Sequence, residues 1–170
     1  WGELLRASVA TQRLMAMLAA RSPIESPVSP QALPAVAGGA RVQLNHVTFH
    51  YPARPQHPTL HELTLDIRPG ETVALVGPSG AGKSTVFQLL LRYFDTQGGH
   101  VLIDGVDVRQ ADLTALRQRI ALVPQDSVIF SASALDNIRY GRPDATDAEV
   151  MAAARAAHAD EFIRALPQGY

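Results

Sequence analysis

The segment Gly77-Pro78-Ser79-Gly80-Ala81-Gly82-Lys83-Ser84 constrains this chain more than any other, because it completes the pattern G-x-x-x-x-G-K-[ST]. Such a loop functions only between a buried strand and a helix, so it commits the chain to an α/β architecture. Both flanks read accordingly. Thr72-Val73-Ala74-Leu75-Val76 is an almost unbroken apolar run that predicts a strand covered on both faces, and Val86 to Phe94 predicts a mostly buried helix. Gly77, Gly80 and Gly82 allow backbone angles that let successive N–H groups turn inward as a nest for an anion. Lys83 is the only lysine, against fourteen arginines. A compact ammonium is therefore used where phosphate oxygens must be reached without a planar fork, and the chain reads as a nucleotide binder. Lys83 would bridge the β- and γ-phosphates while the Ser84 hydroxyl ligates Mg²⁺.

Composition narrows the remaining classes. A chain of 170 residues can bury one sizeable core, and a net charge of −1 advertises neither nucleic acid nor an anionic membrane surface as a partner. With no cysteine there are no disulfides and no thiolate metal sites. No stretch approaches the ~18 consecutive apolar residues of a membrane span. The chain begins at Trp1 and stops at Tyr170, which suggests a piece of something longer.

Residues 1–20 read as a helix with an apolar stripe, ended by Ser22-Pro23, and residues 21–40 have the Pro, Ser and Ala composition of a partly extended linker. The domain proper is expected from 41 to 170. Val42 and Leu44 share one parity and Val47, Phe49 and Tyr51 the other, which predicts a strand with a bulge near Asn45-His46. Leu63, Leu65 and Ile67 predict a second, antiparallel strand closed by Pro69-Gly70. Asp104-Gly105 between Val101-Leu102-Ile103 and Val106-Asp107-Val108 predicts a hairpin. A helix over about 113–119 leads into the apolar run Ile120-Ala121-Leu122-Val123, read as another buried strand. Asp147 to Leu166 reads as one helix capped by Thr146 or Asp147. The sum is a P-loop nucleoside-triphosphatase core with an antiparallel side sheet and the start of a helical subdomain.

Two further residues stand where a nucleotide could use them. Tyr51 precedes Pro52 at a strand end, where an aromatic ring can either stack on a base or pack as a rim residue. Gln125 follows Val123-Pro124 at the C-terminal end of a predicted strand, the edge at which ligands bind in open α/β sheets. The histidine pairs His46/His50 and His57/His61 lie on a strand and in a Pro-containing loop, so their spacing makes no metal site. Arg109, Arg117 and Arg119 read as a solvated face.

Phe49-His50-Tyr51-Pro52, the run Gly77–Thr85, Asp104-Gly105, Val123-Pro124-Gln125-Asp126, Asp136-Asn137-Ile138-Arg139-Tyr140-Gly141 and Leu166-Pro167-Gln168-Gly169-Tyr170 occur in one order and spacing. In this, residues 40–170 resemble the nucleotide-binding domain of ATP-binding cassette transporters of the exporter type. The resemblance implies that Tyr51 stacks on adenine, that Gly77, Pro78, Ser79, Gly80, Ala81, Gly82, Lys83, Ser84 and Thr85 bind the phosphates of ATP, and that Ser84 and Gln125 contact Mg²⁺. It also implies transmembrane domains of the same transporter as partners, a second nucleotide-binding domain docked head to tail, and a place on the cytoplasmic face of a membrane, a bacterial inner membrane being expected. Residues 1–20 would then continue from the last membrane-spanning helix. The family's signature loop, its Mg²⁺-binding aspartate, catalytic glutamate and switch histidine are expected beyond Tyr170, so the domain reads as incomplete and nearly inactive alone. Asp160-Glu161 sits on a predicted helix without a preceding apolar strand and is not taken for the catalytic pair. A nucleotide-binding-only fragment and a soluble ATPase of the same superfamily remain as alternatives.

Overall fold

A computed structural model describes residues 1–35 and 38–170. The chain divides into two compact units, Trp1–Ala121 and Leu122–Tyr170. The first is built on a four-stranded antiparallel sheet of β1 (Val42–Phe49), β2 (Leu60–Ile67), β3 (Gly98–Ile103) and β4 (Val106–Asp107) in the order β2-β1-β3-β4. Its helices are α1 (Gly2–Ala19), α2 (Lys83–Leu90) and α3 (Leu113–Gln118).

The change of parity along β1 has the physical cause expected of it. The pairing register of β1 with β2 shifts between Leu44 and Val47, and His46 takes a φ of +48°. One extra residue lets Leu44, Val47 and Phe49 all point inward, and each is fully buried. The same irregularity faces β3, where Gly99 lies so close that a Cβ would stand 2.3 Å from the Asn45 carbonyl oxygen. Only glycine fits there. At the hairpin, Asp104 (φ +52°) and Gly105 (φ +81°) supply the two left-handed residues that a type I′ turn needs between twisted strands. The core is closed by Val86 and Leu89 of α2 and Leu116 of α3 against Leu44, Val47, Phe49, Val101 and Ile103. Burial alone would push the Asp107 carboxyl up, but hydrogen bonds from Arg109 and His100 outweigh it and hold it below its ordinary value.

Three expectations are corrected. Thr72–Val76 and Ile120–Val123 are not strands: neither joins the sheet, and Val76 and Val123 are 89% and 88% exposed. A parallel strand is held only by hydrogen bonds from its neighbours, and the antiparallel sheet places none beside either run. The single helix over Asp147–Leu166 is two, α5 (Asp147–Ala156) and α6 (Asp160–Arg164), separated where His158 turns left-handed at φ +56° and Ala159 N–H bonds back to the Ala154 carbonyl. The break lets Ile163 be buried along with Val150 and Ala154. The arginine face is not simply solvated: Arg109 grips Asp107, Arg117 donates to the carbonyls of Leu91 and Arg92 past the end of α2, and Arg119 donates to those of Leu33 and Pro34.

In the second unit, α4 (Ala134–Arg139) is capped by Ser133, whose hydroxyl accepts from Asp136 N–H. The sequence reading did not find this helix, although Ser133 three residues before Asp136 carries its start signal. The Asn137 amide pins the preceding turn by bonding both N–H and C=O of Phe130. Tyr170 closes the unit, its carbonyl accepting from Leu135 N–H and its hydroxyl donating to Asp160.

The start of α5 is a capping box. Thr146 accepts from Glu149 N–H, and the Glu149 carboxylate accepts from Thr146 N–H at 2.9 Å and from its hydroxyl at 2.8 Å. The backbone N–H of Thr146, then its hydroxyl, then Arg142 hold the Glu149 carboxyl below its ordinary value. A depressed pKa means the fold favours the ionised form, so the contribution is whole above the ordinary carboxylate range and is lost as pH falls through the folded value. Thermal midpoints followed by far-UV circular dichroism should therefore separate wild type from Glu149→Gln between about pH 7 and 5, with the gap narrowing as pH falls below the ordinary carboxylate value of about 4.3. A gap that persists unchanged into acid would contradict the box.

Candidate functional site

The phosphate-type loop joins the exposed run 72–76 to α2, and its shape is set by one close approach. Gly82 is the N-cap of α2 in the left-handed region, φ +86°, and a Cβ there would stand 2.7 Å from Leu60 Cδ2 and 3.0 Å from the Thr59 carbonyl oxygen. Both space and backbone angle thus demand glycine. The loop is pressed against the start of β2, and α2 begins immediately after it. The first-turn N–H groups of Lys83, Ser84 and Thr85 have no carbonyl one turn back within the helix. Val86 N–H is the first to find one, at Gly82, 3.2 Å away.

Lys83 Nζ donates to the carbonyls of Gly77 and Pro78, each at 2.8 Å. The ammonium therefore lies across the mouth of the loop with two of its three protons engaged, leaving one for a further acceptor. Ser84, one residue into the helix, is exposed, whereas Thr85 is buried. Unpaired helix N–H groups, a positive helix end and an ammonium held above them form a donor set that suits a phosphate. The exposed Ser84 hydroxyl is an oxygen ligand of the kind Mg²⁺ takes.

Tyr51 is brought to this loop by its hydroxyl. Thr85 Oγ1 lies 2.9 Å from it, and it donates to Gln88 Oε1 at 2.8 Å. The ring meets Phe49 edge to face, with centroids 5.0 Å apart at 80°, and Phe94 likewise, 5.3 Å apart at 87°. The end of β1 is thereby tied to the first turns of α2. Sequence reasoning placed Tyr51 but missed Gln88 and Phe94. The signal was present, since Gln88 follows Thr85 by three residues and so shares its helix face.

Gln125 is exposed and belongs to the second unit, on irregular backbone rather than at the end of a strand. Asp160 is engaged: it accepts from Arg164 and Tyr170, and these hydrogen bonds, Arg164's first, hold its carboxyl below its ordinary value. Among the described residues no group of three or more His, Asp or Glu side chains is placed to hold a metal ion.

Comparison with known proteins places these features in context. A family model described as ABC transporter matches residues 60–169. A protein of Mycobacterium bovis called a fatty acid ABC transporter ATP-binding/permease protein is 46% identical over 148 residues, covering 87% of this chain and 23% of that protein. The mitochondrial potassium channel ATP-binding subunit of Xenopus tropicalis is 50% identical over 139 residues, covering 81% of this chain and 20% of that protein. A solved structure of a bacterial Atm1-family ABC exporter with ATP bound superposes with a TM-score of 0.82 at 40% identity, over 97% of this chain and 28% of that one. The chain thus spans less than a quarter of the length of these curated relatives.

The Tyr51 network has a measurable consequence. Tyr51→Phe leaves Thr85 and Gln88 short of a partner and should lower stability in urea denaturation by about 1–2 kcal/mol, and Gln88→Leu by a similar amount. The double variant should lose less than the sum of the two by about 1 kcal/mol. Strict additivity would show that the hydroxyl does not link β1 to α2.

Proposed function

The chain belongs to the ABC transporter family, and from that premise we propose that it is the ATP-binding part of an exporter, coupling ATP binding and hydrolysis in the intact protein to movement of a solute across a membrane. The observation that carries this reading is the loop itself: Lys83 held at its mouth by two carbonyls, above the N-terminus of a buried helix. Residues Gly77–Thr85 would hold the phosphates. Mg²⁺, taken by the Ser84 hydroxyl, would neutralise phosphate charge, the chief requirement of phosphoryl transfer. Tyr51 would present its ring to adenine, and its anchorage to Thr85 ties that ring to the phosphate-binding helix. Gln125 would contact Mg²⁺ and report on the γ-phosphate, a role supported by the resemblance of its segment alone.

The partners follow from the same family. Residues 1–20 would continue from a membrane-spanning helix, 21–40 would connect it to the domain, and 41–170 would be the N-terminal part of the nucleotide-binding domain. A second such domain would meet it head to tail at the cytoplasmic face of a membrane. The exposed apolar residues Val9, Leu14, Met15, Met17 and Leu18 of α1 support the first of these assignments. Among the described residues no helix is itself long and apolar enough to cross a membrane.

A second reading, nucleotide binding without turnover, is favoured for this 170-residue chain by the unpaired runs 72–76 and 120–123. Asp160 is also poorly suited to act as a base. A carboxylate bonded to Arg164 and Tyr170 and depressed in pKa is a poor proton acceptor.

Isothermal titration of the chain with Mg-ATP should give saturable heat. Lys83→Ala should abolish it while leaving the far-UV circular dichroism unchanged, and phosphate release by the unaltered chain should be negligible. Undiminished binding by the alanine variant would overturn the loop's role, and turnover comparable to a full transporter would overturn the second reading.

A further inference from the structure

Residues 26–34 carry three prolines in quick succession, Pro27, Pro30 and Pro34, and a chain of that composition could simply hang from the domain. It does not hang. The Ser26 hydroxyl donates to Asp112 Oδ2 at 3.0 Å and accepts from Leu113 N–H at 2.9 Å, so a residue 86 positions away helps cap the N-terminus of α3. Gln31 N–H donates to the Gln110 carbonyl at 2.7 Å, and Gln31 forms a parallel bridge with Ala111. Leu33 packs against the hydrophobic core. At the far end of α3, the Arg119 fork closes on the segment from both nitrogens, Nη2 to the Leu33 carbonyl at 2.9 Å and Nη1 to that of Pro34 at 2.5 Å. The same guanidinium lies 3.5 Å from Asp104 Oδ2, in the hairpin turn whose other carboxylate oxygen accepts from Arg41 N–H at the entry to β1.

We propose that residues 26–34 are a docked strap whose partner surface is the two ends of α3 in the same chain, with Ser26 and Arg119 as its clips. Pro27, Pro30 and Pro34 suit this task, because each fixes its own φ and biases the residue before it to extended backbone. The chemistry of the clips is matched to such a backbone. Proline carbonyls remain free acceptors, and a guanidinium offers paired donors in a rigid fork that can take two successive carbonyls at once. An ammonium could not span them in the same way.

The docking changes what the segment transmits. A slack tether of 20 residues would let its ends wander over about 25 Å and absorb any displacement of α1. A strap clipped at both ends of α3 passes displacement to that helix. Arg119 stands only six positions before Gln125 in the sequence, so the helix the strap holds is the one that leads into the segment proposed to sense the γ-phosphate. The strap itself is independent of that reading, since its contacts involve no nucleotide-site residue.

Hydrogen exchange of the whole chain, without nucleotide, tests it directly. The Gln31 amide should exchange at least tenfold more slowly than an unstructured amide. Arg119→Ala should speed it about tenfold, and Arg119→Lys should fail to restore protection. Should Arg119→Ala unfold the chain, a cysteine pair at Ser26→Cys and Asp112→Cys decides the matter, because the chain has no other cysteine. Rapid, near-complete disulfide formation under mild oxidation supports the strap. A Gln31 amide that exchanges at the unstructured rate in the wild type, or a folded double-cysteine variant that does not cross-link, overturns it, whatever the chain's affinity for Mg-ATP.

Discussion

The contact of Gly82 with Thr59 and Leu60 is the constraint on which the first unit's arrangement turns. It presses the phosphate-type loop onto the antiparallel sheet with no room for a side chain, and so fixes where α2 starts. From that point the buried residues of α2 are committed, because Val86 and Leu89 can reach the sheet only if the helix leaves the loop in this direction. The Tyr51 hydroxyl then ties the same helix to the end of β1, which pairs with the start of β2. The loop's chemistry is thus inherited from sheet packing. A substitution that loosens Leu60 or Phe49 would be felt at Lys83 without touching it, since these groups share one tightly packed cluster.

What the sequence disclosed and what it concealed divide along a physical line. Features specified by neighbours in the chain were legible: the bulge at His46 from a parity change, the turn at Asp104-Gly105 from two residues tolerant of positive φ, and the start of α5, narrowed to Thr146 or Asp147 as cap and found at Thr146. The loop at 77–84 was legible for the same reason, its conformation being written in its own glycines. Features decided by distant partners were not. Apolar content at 72–76 and 120–123 signals a wish to be buried, but a ladder needs a neighbour that periodicity cannot supply. The break at His158 has no glycine or proline to announce it, because it is set by the burial of Ile163 rather than by local propensity.

Arginine was the residue type most misjudged from sequence, and the reason bears on the site. Arg109, Arg117 and Arg119 read as a solvated face, yet each reaches a carboxylate or a backbone carbonyl, as do Arg41, Arg92 and Arg139. Each of these pairings exploits the fork, whether to hold a carboxylate as at Asp66 or to gather successive carbonyls as at Leu91 and Arg92.

That usage explains the solitary lysine. A fork at position 83 would extend in a plane and select a planar partner, whereas a phosphate tail presents oxygens on several sides. An ammonium can instead spend two protons on the Gly77 and Pro78 carbonyls, neutral groups that hold it in place without cancelling its charge. Were a carboxylate its partner, the ion pair would leave little attraction for an incoming anion and would have to be broken before binding. Holding the cation by backbone carbonyls keeps its full charge directed at the loop, and the helix end beneath it adds to that field. The economy of one lysine among fourteen arginines is therefore a statement about geometry: forks build the frame, and the single point charge is kept for a ligand that is not flat.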